Sequence, residues 1–433
     1  MKRIVTIILA LALVLTVVAG VAACKGKIKD AEEVQIPALE GMEVADYSNL
    51  SVPADFKIGM ICLHDESSTY DLNFINAAKA AVKALGMSES QLVIKTGIDE
   101  DVACYEAAKD LINNSRCKVI FADSFGHEQY IAQAAAEFPN VQFCHATGVT
   151  AGSSTLTNFH NAFASIYEGR FLAGIAAGMK LYEMNKDKAE ADQNYKIGYV
   201  GAFTYAEVIS GYTSYFLGVK YALNQAQAGL GDKLSMKVKF TGSWYDVAAE
   251  KSAAEALISQ GCVLISQHAD SMGAPSACEA AGVPNVSYNG STITACPKTF
   301  IVSSRIDWTP YVKYIIAQTV KGQAIDDNFT GTLKDGSVAL TGVNGDVMAE
   351  GTIDAIVTAR AKLVAGTLNV FDTNTFTVNG QKITSKLVNG EEVVINGAFK
   401  ESKVMSAPYF DYDEIDGIKC LNRYYNPGEE IAA

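Results

Sequence analysis

Positive charge is scarce in these 433 residues: 35 Lys and Arg against 48 Asp and Glu leave a formal charge of −13. Nucleic-acid binding, which wants a basic face, is excluded on that ground. The nine cysteines form no CxxC pair and no Cys/His group with zinc spacing, so neither a zinc ribbon nor a dithiol redox centre is encoded. There is no GxGxxG, no GxxxxGK[ST] and no GxSxG elbow, which removes the common dinucleotide, phosphate and hydrolase signatures. Only five histidines occur, at 64, 127, 145, 160 and 268, and none falls in HExxH. The pattern offers no reaction centre, cofactor site or metal site, and the expectation is a protein that is not an enzyme. Beyond residue 18 no apolar run reaches the ~20 residues that a membrane helix needs; the nearest, FLAGIAAGMKLY (171–182), is broken by Lys180.

What is present begins with an export signal. Lys2 and Arg3 precede an apolar stretch from Ile4 to Val18 and then small residues, the layout of a secretory leader covering 1–23. The tetrad Val21-Ala22-Ala23-Cys24 resembles a bacterial lipobox, which implies a lipid on Cys24 and an extracytoplasmic protein held to the cell membrane. Loss of the two leader charges takes the net charge to about −15, since −13 minus the 2 positive charges leaves −15. The remaining cysteines, at 62, 104, 117, 144, 262, 278, 296 and 420, are dispersed, several of them in apolar strand runs, and are expected to be reduced and buried. Residues 24–56 are polar and non-periodic and read as a lipid-anchored tether.

From Lys57 onward strand and helix patterns alternate, which implies parallel sheets covered on both faces. Lys57–Cys62, 92–97, 118–123, 141–146 and 155–161 read as strands, with helices between them and a long helix over 165–182. The charged run 185–194 is the predicted internal boundary. It divides a first lobe, 57–184 completed by about 300–330, from a second lobe, 185–299. Residues 331–433 change texture: after one helix (352–365) come β-like runs with Asn-Gly at 379–380, 389–390 and 396–397, the strongest short hairpin signal. This is the predicted β-rich C-terminal extension.

Ligands of open α/β sheets sit outside the carboxyl ends of the strands. Aromatic and polar residues collect at such places here: the loop His64 to Asp71, Ser124-Phe125, Trp244 in GSWYD, His268 and Asp270 in QHAD, Asn289, and Arg305 with Trp308. A planar ligand with polar edges needs rings to stack on and carboxylate, amide and guanidinium partners. Both tryptophans of the chain fall in this set.

Over Lys57 to about Lys321 the chain resembles the basic membrane protein family of bacterial lipoproteins. The motifs that carry the resemblance are NAFASIYEGRFLAGIAAGMK (161–180), IGYVGAFTYAEVISGYTSYFLGVK (197–220), GSWYDVAAEKSAA (242–254) and VSSRIDWTPY (302–311). The resemblance implies a bilobal α/β fold of the type I periplasmic-binding-protein kind, two doubly wound parallel-sheet lobes with a hinge. It implies a substrate-binding protein that delivers a purine nucleoside or nucleobase to an ABC transporter permease. The family's loop asparagine falls on Asn73, its stacking aromatic on Trp244 and its late basic residue on Arg305. Three positions depart from the pattern. Leu63 stands where the family has Asp, leaving Asp65 to substitute; Leu72 stands for an aromatic, leaving Tyr70; and Asn289 stands for a ribose-binding Asp. The expected ligand set is therefore Asp65, Tyr70, Asn73, Phe125, Trp244, Asp270, Asn289, Arg305 and Trp308. A sugar or other small polar metabolite is the alternative ligand. A surface nucleoside hydrolase, or an interaction protein with a vestigial cleft, are alternatives of other classes.

Overall fold

The computed structural model describes residues 31–432; the leader and Cys24 lie outside them. Two open sheets form the frame. The first runs in the order Asn328–Gly331, Phe159–Ala164, Gln142–Ala146, Val119–Ala122, Ile58–Ile61, Leu92–Lys95, and all its pairings are parallel. The second runs Val338–Leu340, Phe300–Ile306, Asn285–Tyr288, Ile265–Gln267, Lys196–Gly201, Ser235–Phe240, Ile418–Cys420, parallel except at Val338–Leu340. Ile58–Ile61 is flanked by the next two strands of its lobe, one on each side. Lys196–Gly201 is flanked in the same way. Strand order reverses at both, and each leaves a crevice beyond its carboxyl end.

Three segments cross between the lobes: around Ser165, around Asp307, and from Gly331 to Val338. The boundary expected at 184/185 is therefore displaced. Helix Ile166–Glu183 already belongs to the second lobe, where it packs along helix Ala206–Ala226. Its sequence forces the choice of partner. A Cβ on Gly174 would lie 2.2 Å from the Tyr215 carbonyl oxygen, and one on Gly218 would lie 2.1 Å from that of Phe171. The two backbones touch, and only glycine admits that approach. The run 185–194 merely joins this helix to the next strand of the same lobe. Strand Phe300–Ile306 likewise belongs to the second sheet, while helix Thr309–Lys321 and strand Asn328–Gly331 complete the first lobe.

The supposed tether is packed from its first described residues. Glu33 and Val34 pair with Asn344 and Val343 beside the second sheet. Arg360 donates to the Pro37 carbonyl at 2.6 Å. The Glu43 N–H donates to the Lys334 carbonyl on the third crossing, at 2.8 Å. The Tyr47 ring then lies near Lys313 and Lys321 of the first lobe, 5.9 and 5.6 Å away. Residues 33–47 form a strap over the hinge.

The extension packs on the second lobe. Asn389 and Gly390, with φ of 49° and 81°, make the tight turn between strands Leu387–Val388 and Glu391–Glu392. Glu401 is buried and accepts from the Ser210 hydroxyl and from the N–H groups of Tyr409 and Phe410 at 3.0 and 2.8 Å. The last segment adds Ile418–Cys420 to the edge of the second sheet, beside Ser235–Phe240. All eight cysteines among the described residues are free and buried, and no described helix is long and apolar enough to cross a membrane.

Candidate functional site

Where the first strand ends, residues 62–68 turn into helix Thr69–Ala84, capped by Ser68, whose Oγ accepts from the Asp71 N–H at 3.2 Å. That cap sets which carboxylate faces inward. Asp71 folds back from the first helical turn and accepts from the His64 N–H at 2.8 Å. Asp123, just past strand Val119–Ala122, accepts from the Leu63 N–H at 3.1 Å. Asp65 is turned to solvent and holds only Ser67, so it does not replace the carboxylate absent at Leu63. The carboxylates at this point are Asp71 and Asp123, from two other positions.

These two are buried side by side. For Asp71, burial opposes ionisation, but hydrogen bonds from His64 and Ser68 outweigh it and hold the carboxyl below its usual range. For Asp123, burial and then the Asp71 charge push the carboxyl well above it. Like charges so close resolve by keeping one proton between them, and the pair titrates as a unit. The Cys62 Sγ and oxygens of Asp71 and Asp123 lie within 4.8 Å of one another, a grouping that could hold a cation. Burial also drives the Cys62 thiol well up. Burial thus favours the protonated forms of Cys62 and Asp123, and Asp71 shares the Asp123 proton.

The facing wall comes from the second lobe. Arg170, 1 % exposed, reaches from helix Ile166–Glu183 under the end of strand Ile265–Gln267. It donates to the Gln267 carbonyl at 2.9 Å and to His268 Nδ1 at 3.0 Å, and its guanidinium carbon lies 3.2 Å from the Tyr288 ring centroid. Burial and then the Arg170 charge depress His268 well below its usual range, so the ring is neutral. With Nδ1 accepting from Arg170, its proton sits on Nε2 and points at Glu207 Oε1, 3.5 Å away. Burial, opposed by Arg170, raises the Glu207 carboxyl to about 7. Burial and then the Asp71 and Glu250 carboxylates drive Asp270 well above its usual range.

The two walls line a cleft of about 20 Å³, room for little more than one water while the lobes are closed, bordered by Tyr70, Asp71, Phe125, Glu207, Trp244, Asp270 and Tyr288, among others. The lobes are closed over it. Thr69 donates its N–H and its hydroxyl to the Asp270 carbonyl, each at 3.2 Å. The rings of Phe125 and Tyr205 approach to 5.3 Å, as do those of His64 and Tyr245.

Of the nine residues expected from the sequence, Tyr70, Phe125, Trp244 and Asp270 line this cavity. Asn73 and Arg305 stand at the hinge instead: Asn73 donates to the Ile306 carbonyl, and Arg305 pairs with Asp307 at 3.0 Å and with Asn73 at 3.4 Å. Asn289 is buried in left-handed backbone (φ 63°) with its Nδ2 unpartnered, outside the lining. Trp308 is not at the cleft. It is 1 % exposed and lies among Phe74, Phe121, Phe163 and Tyr311, stacked on Phe74 at 4.5 Å. Sequence reasoning missed Asp71, Asp123, Arg170, Glu207 and Tyr288. Two signals were available: Asp71 three residues after a capping serine, and Glu207 opening a long helix directly after a strand.

Comparison with known proteins follows the same outline. The Bmp family model, described as ABC transporter substrate-binding protein PnrA-like, matches residues 58–373. A purine-binding protein of Brucella abortus is 29% identical over 331 residues, covering 74% of this chain and 80% of that protein. A Haloferax volcanii protein, provisionally named an ABC transporter glucose-binding protein, is 28% identical over 258 residues; the match spans 60% of each. Among solved structures, an ABC transporter solute-binding protein of Aeropyrum pernix aligns with a TM-score of 0.57 at 18% identity, over 72% of this chain and 92% of that one. One from Conexibacter woesei aligns at 0.55 and 20% identity, over 72% and 98%. These two likenesses bear on the fold alone, and the fold is that of the type I periplasmic-binding proteins. With the family model matching most of its length, the chain belongs to the Bmp family of PnrA-like ABC transporter substrate-binding proteins.

Proposed function

We propose that this protein captures a purine nucleoside or nucleobase between its two lobes outside the cell and hands it to an ABC importer. The observation that carries the reading is the pair of aromatic walls: Tyr70 and Phe125 from the first lobe face Trp244 and Tyr288 from the second across one small cavity. With the lobes parted, a flat ring would stack between such walls, and the carboxyls and hydroxyls around them would serve its edge. The purine-binding relative supports the same ligand class. A thermal-shift screen over nucleosides, bases and sugars tests it, because 100-fold ligand excess over Kd stabilises a binding protein by roughly 2.7 kcal/mol. Stabilisation by sugars alone would overturn the purine reading and favour the glucose-type relative.

Anchoring through Cys24 belongs to the same proposal. One acyl chain holds a protein to a bilayer only marginally and two hold it stably, so the wild type is expected in the membrane fraction. Cys24→Ala is expected to release it or to leave an unprocessed precursor. A processed, membrane-bound Cys24→Ala product would reject the lipid.

A further inference from the structure

The strap over the hinge covers a second cavity, away from the cleft. Apolar side chains line it from the strap (Ile36 and Leu39), from helix Ile166–Glu183 (Leu172) and from the third crossing (Leu333). It holds about 180 Å³, against about 20 Å³ in the closed cleft. That exceeds the roughly 150 Å³ in which a dry apolar cavity takes up benzene. Its polar side chains are Gln35 and Arg360, and no carboxylate is among the lining residues.

Arg360 is the second observation. It comes from helix Thr352–Val364, which packs along Ile166–Glu183. Its side chain is half-buried and donates to the Pro37 carbonyl of the strap at 2.6 Å. The Nε–H is buried with no partner at all. Burial lowers the guanidinium from its ordinary range, and no carboxylate stands close enough to oppose that. Buried arginines are normally paired, most often fork to fork with a carboxylate or phosphate. An unpartnered guanidinium N–H at an apolar cavity marks the place of an anionic head with an apolar body behind it.

We propose that this cavity is a second ligand site for a small monocarboxylate with an apolar body, and that its occupant fixes the strap on the hinge. The carboxylate meets Arg360, and the body fills the space between the strap and Leu172. A singly charged head matches the one cation present; a dianionic phosphate would leave a charge uncompensated beside apolar walls. Because the strap forms one side of the cavity, the occupant bears on strap, crossing and second-lobe helix at once.

The test is calorimetric titration of residues 25–433, which contain every described element, with phenylacetate, hexanoate and 3-methylbutanoate. These put three bodies on one head group, and the amide of each serves as its uncharged match. At least one acid is expected to bind with a Kd below ~1 mM and at least ~10-fold more tightly than its amide. Arg360→Gln is expected to erase that preference. Hydrogen exchange of the strap amides within 36–42 is expected to slow when the acid is present. If Arg360→Gln melts early, the acid-to-amide ratio and the strap exchange of wild type decide alone. Equal binding of acid and amide, an acid preference that survives Arg360→Gln, unchanged strap exchange, or no binding by any of the six compounds overturns the site.

Discussion

A single tryptophan divides the optical behaviour of this protein. Trp308 is sealed in the first-lobe core by Phe74, Phe121 and Phe163, whereas Trp244 is half-buried at the cavity, with Phe203 at 5.1 Å and Tyr205 at 5.9 Å. Ligand is expected to change the emission of Trp244 alone, so Trp244→Phe should abolish the fluorescence response to a ligand that wild type reports. By analogy with stacking platforms, Trp244→Ala is expected to cost roughly 1–3 kcal/mol of binding, and Trp244→Phe, which keeps a ring, much less. Wild-type affinity in Trp244→Ala, measured by calorimetry, would remove the stacking role. The contrast also shows where residue-scale reading fails. Trp244 and Trp308 both stand just past strand ends, and nothing local separates a ring that faces the cleft from one that seals a core. The same holds for Asp65 and Asp71. Both lie in one polar loop, and the hydroxyl of Ser68 decides between them by starting the helix where Asp71 turns inward. That decision is made by a hydrogen bond whose partners the sequence names but does not orient.

Elements were easier to read than their neighbours. Alternation of apolar strands with alanine-rich helices, and Asn-Gly at 379–380, 389–390 and 396–397, placed most elements within a few residues, because period and turn chemistry are local properties. The strand expected over 155–161 lies at Phe159–Ala164, later than its polar, loop-like start suggested. The lobe that helix Ile166–Glu183 joins was not legible: it is buried nearly all round, so its pattern carries no facing direction. Glycine at 174 and 218 settles the matter only once both helices are in view. The extension has its own chemistry. Burial raises the Glu401 carboxyl to about 7 against an ordinary 4.5, although Ser210 and two N–H groups favour its anion. A carboxyl raised on folding stabilises most when protonated. The contribution is complete below about 4.5 and fades as pH rises through about 7, a span of order 3 kcal/mol. Proteolytic cutting within 400–417 is therefore expected to quicken between pH 6 and pH 8.5. Glu401→Gln should cut at one rate across that range; an identical pH profile in wild type and variant would assign the change to other groups.

At the scale of the whole molecule, two lobes joined by crossings were legible in outline from the doubled α/β pattern, but not the number or the places of the crossings. The strap was not. Residues 33–47 lack periodicity because they follow a surface, pairing with the second lobe at Val34 and reaching the first at Tyr47. Hinge closure is the general motion of two-lobed binders, and here the strap links the lobes from outside the crossings. Strand Ile418–Cys420 has a different consequence, one for solubility. Without Ile418–Cys420, strand Ser235–Phe240 would end the second sheet with a free row of N–H and C=O groups, the template on which chains add to one another. A chain cut after 400 would also uncover Phe216, against which Gly417 sits. Such a truncated protein is expected to fold its lobes yet self-associate, detectable as concentration-dependent light scattering, and Val238→Lys on the exposed edge should not restore it because that side chain points into the core. A truncated chain that stays monodisperse would show that Lys237 and Lys239 alone guard the edge. In the full-length protein the three residues Ile418–Cys420 occupy that place, so a second copy meets a short edge instead of the six residues of Ser235–Phe240.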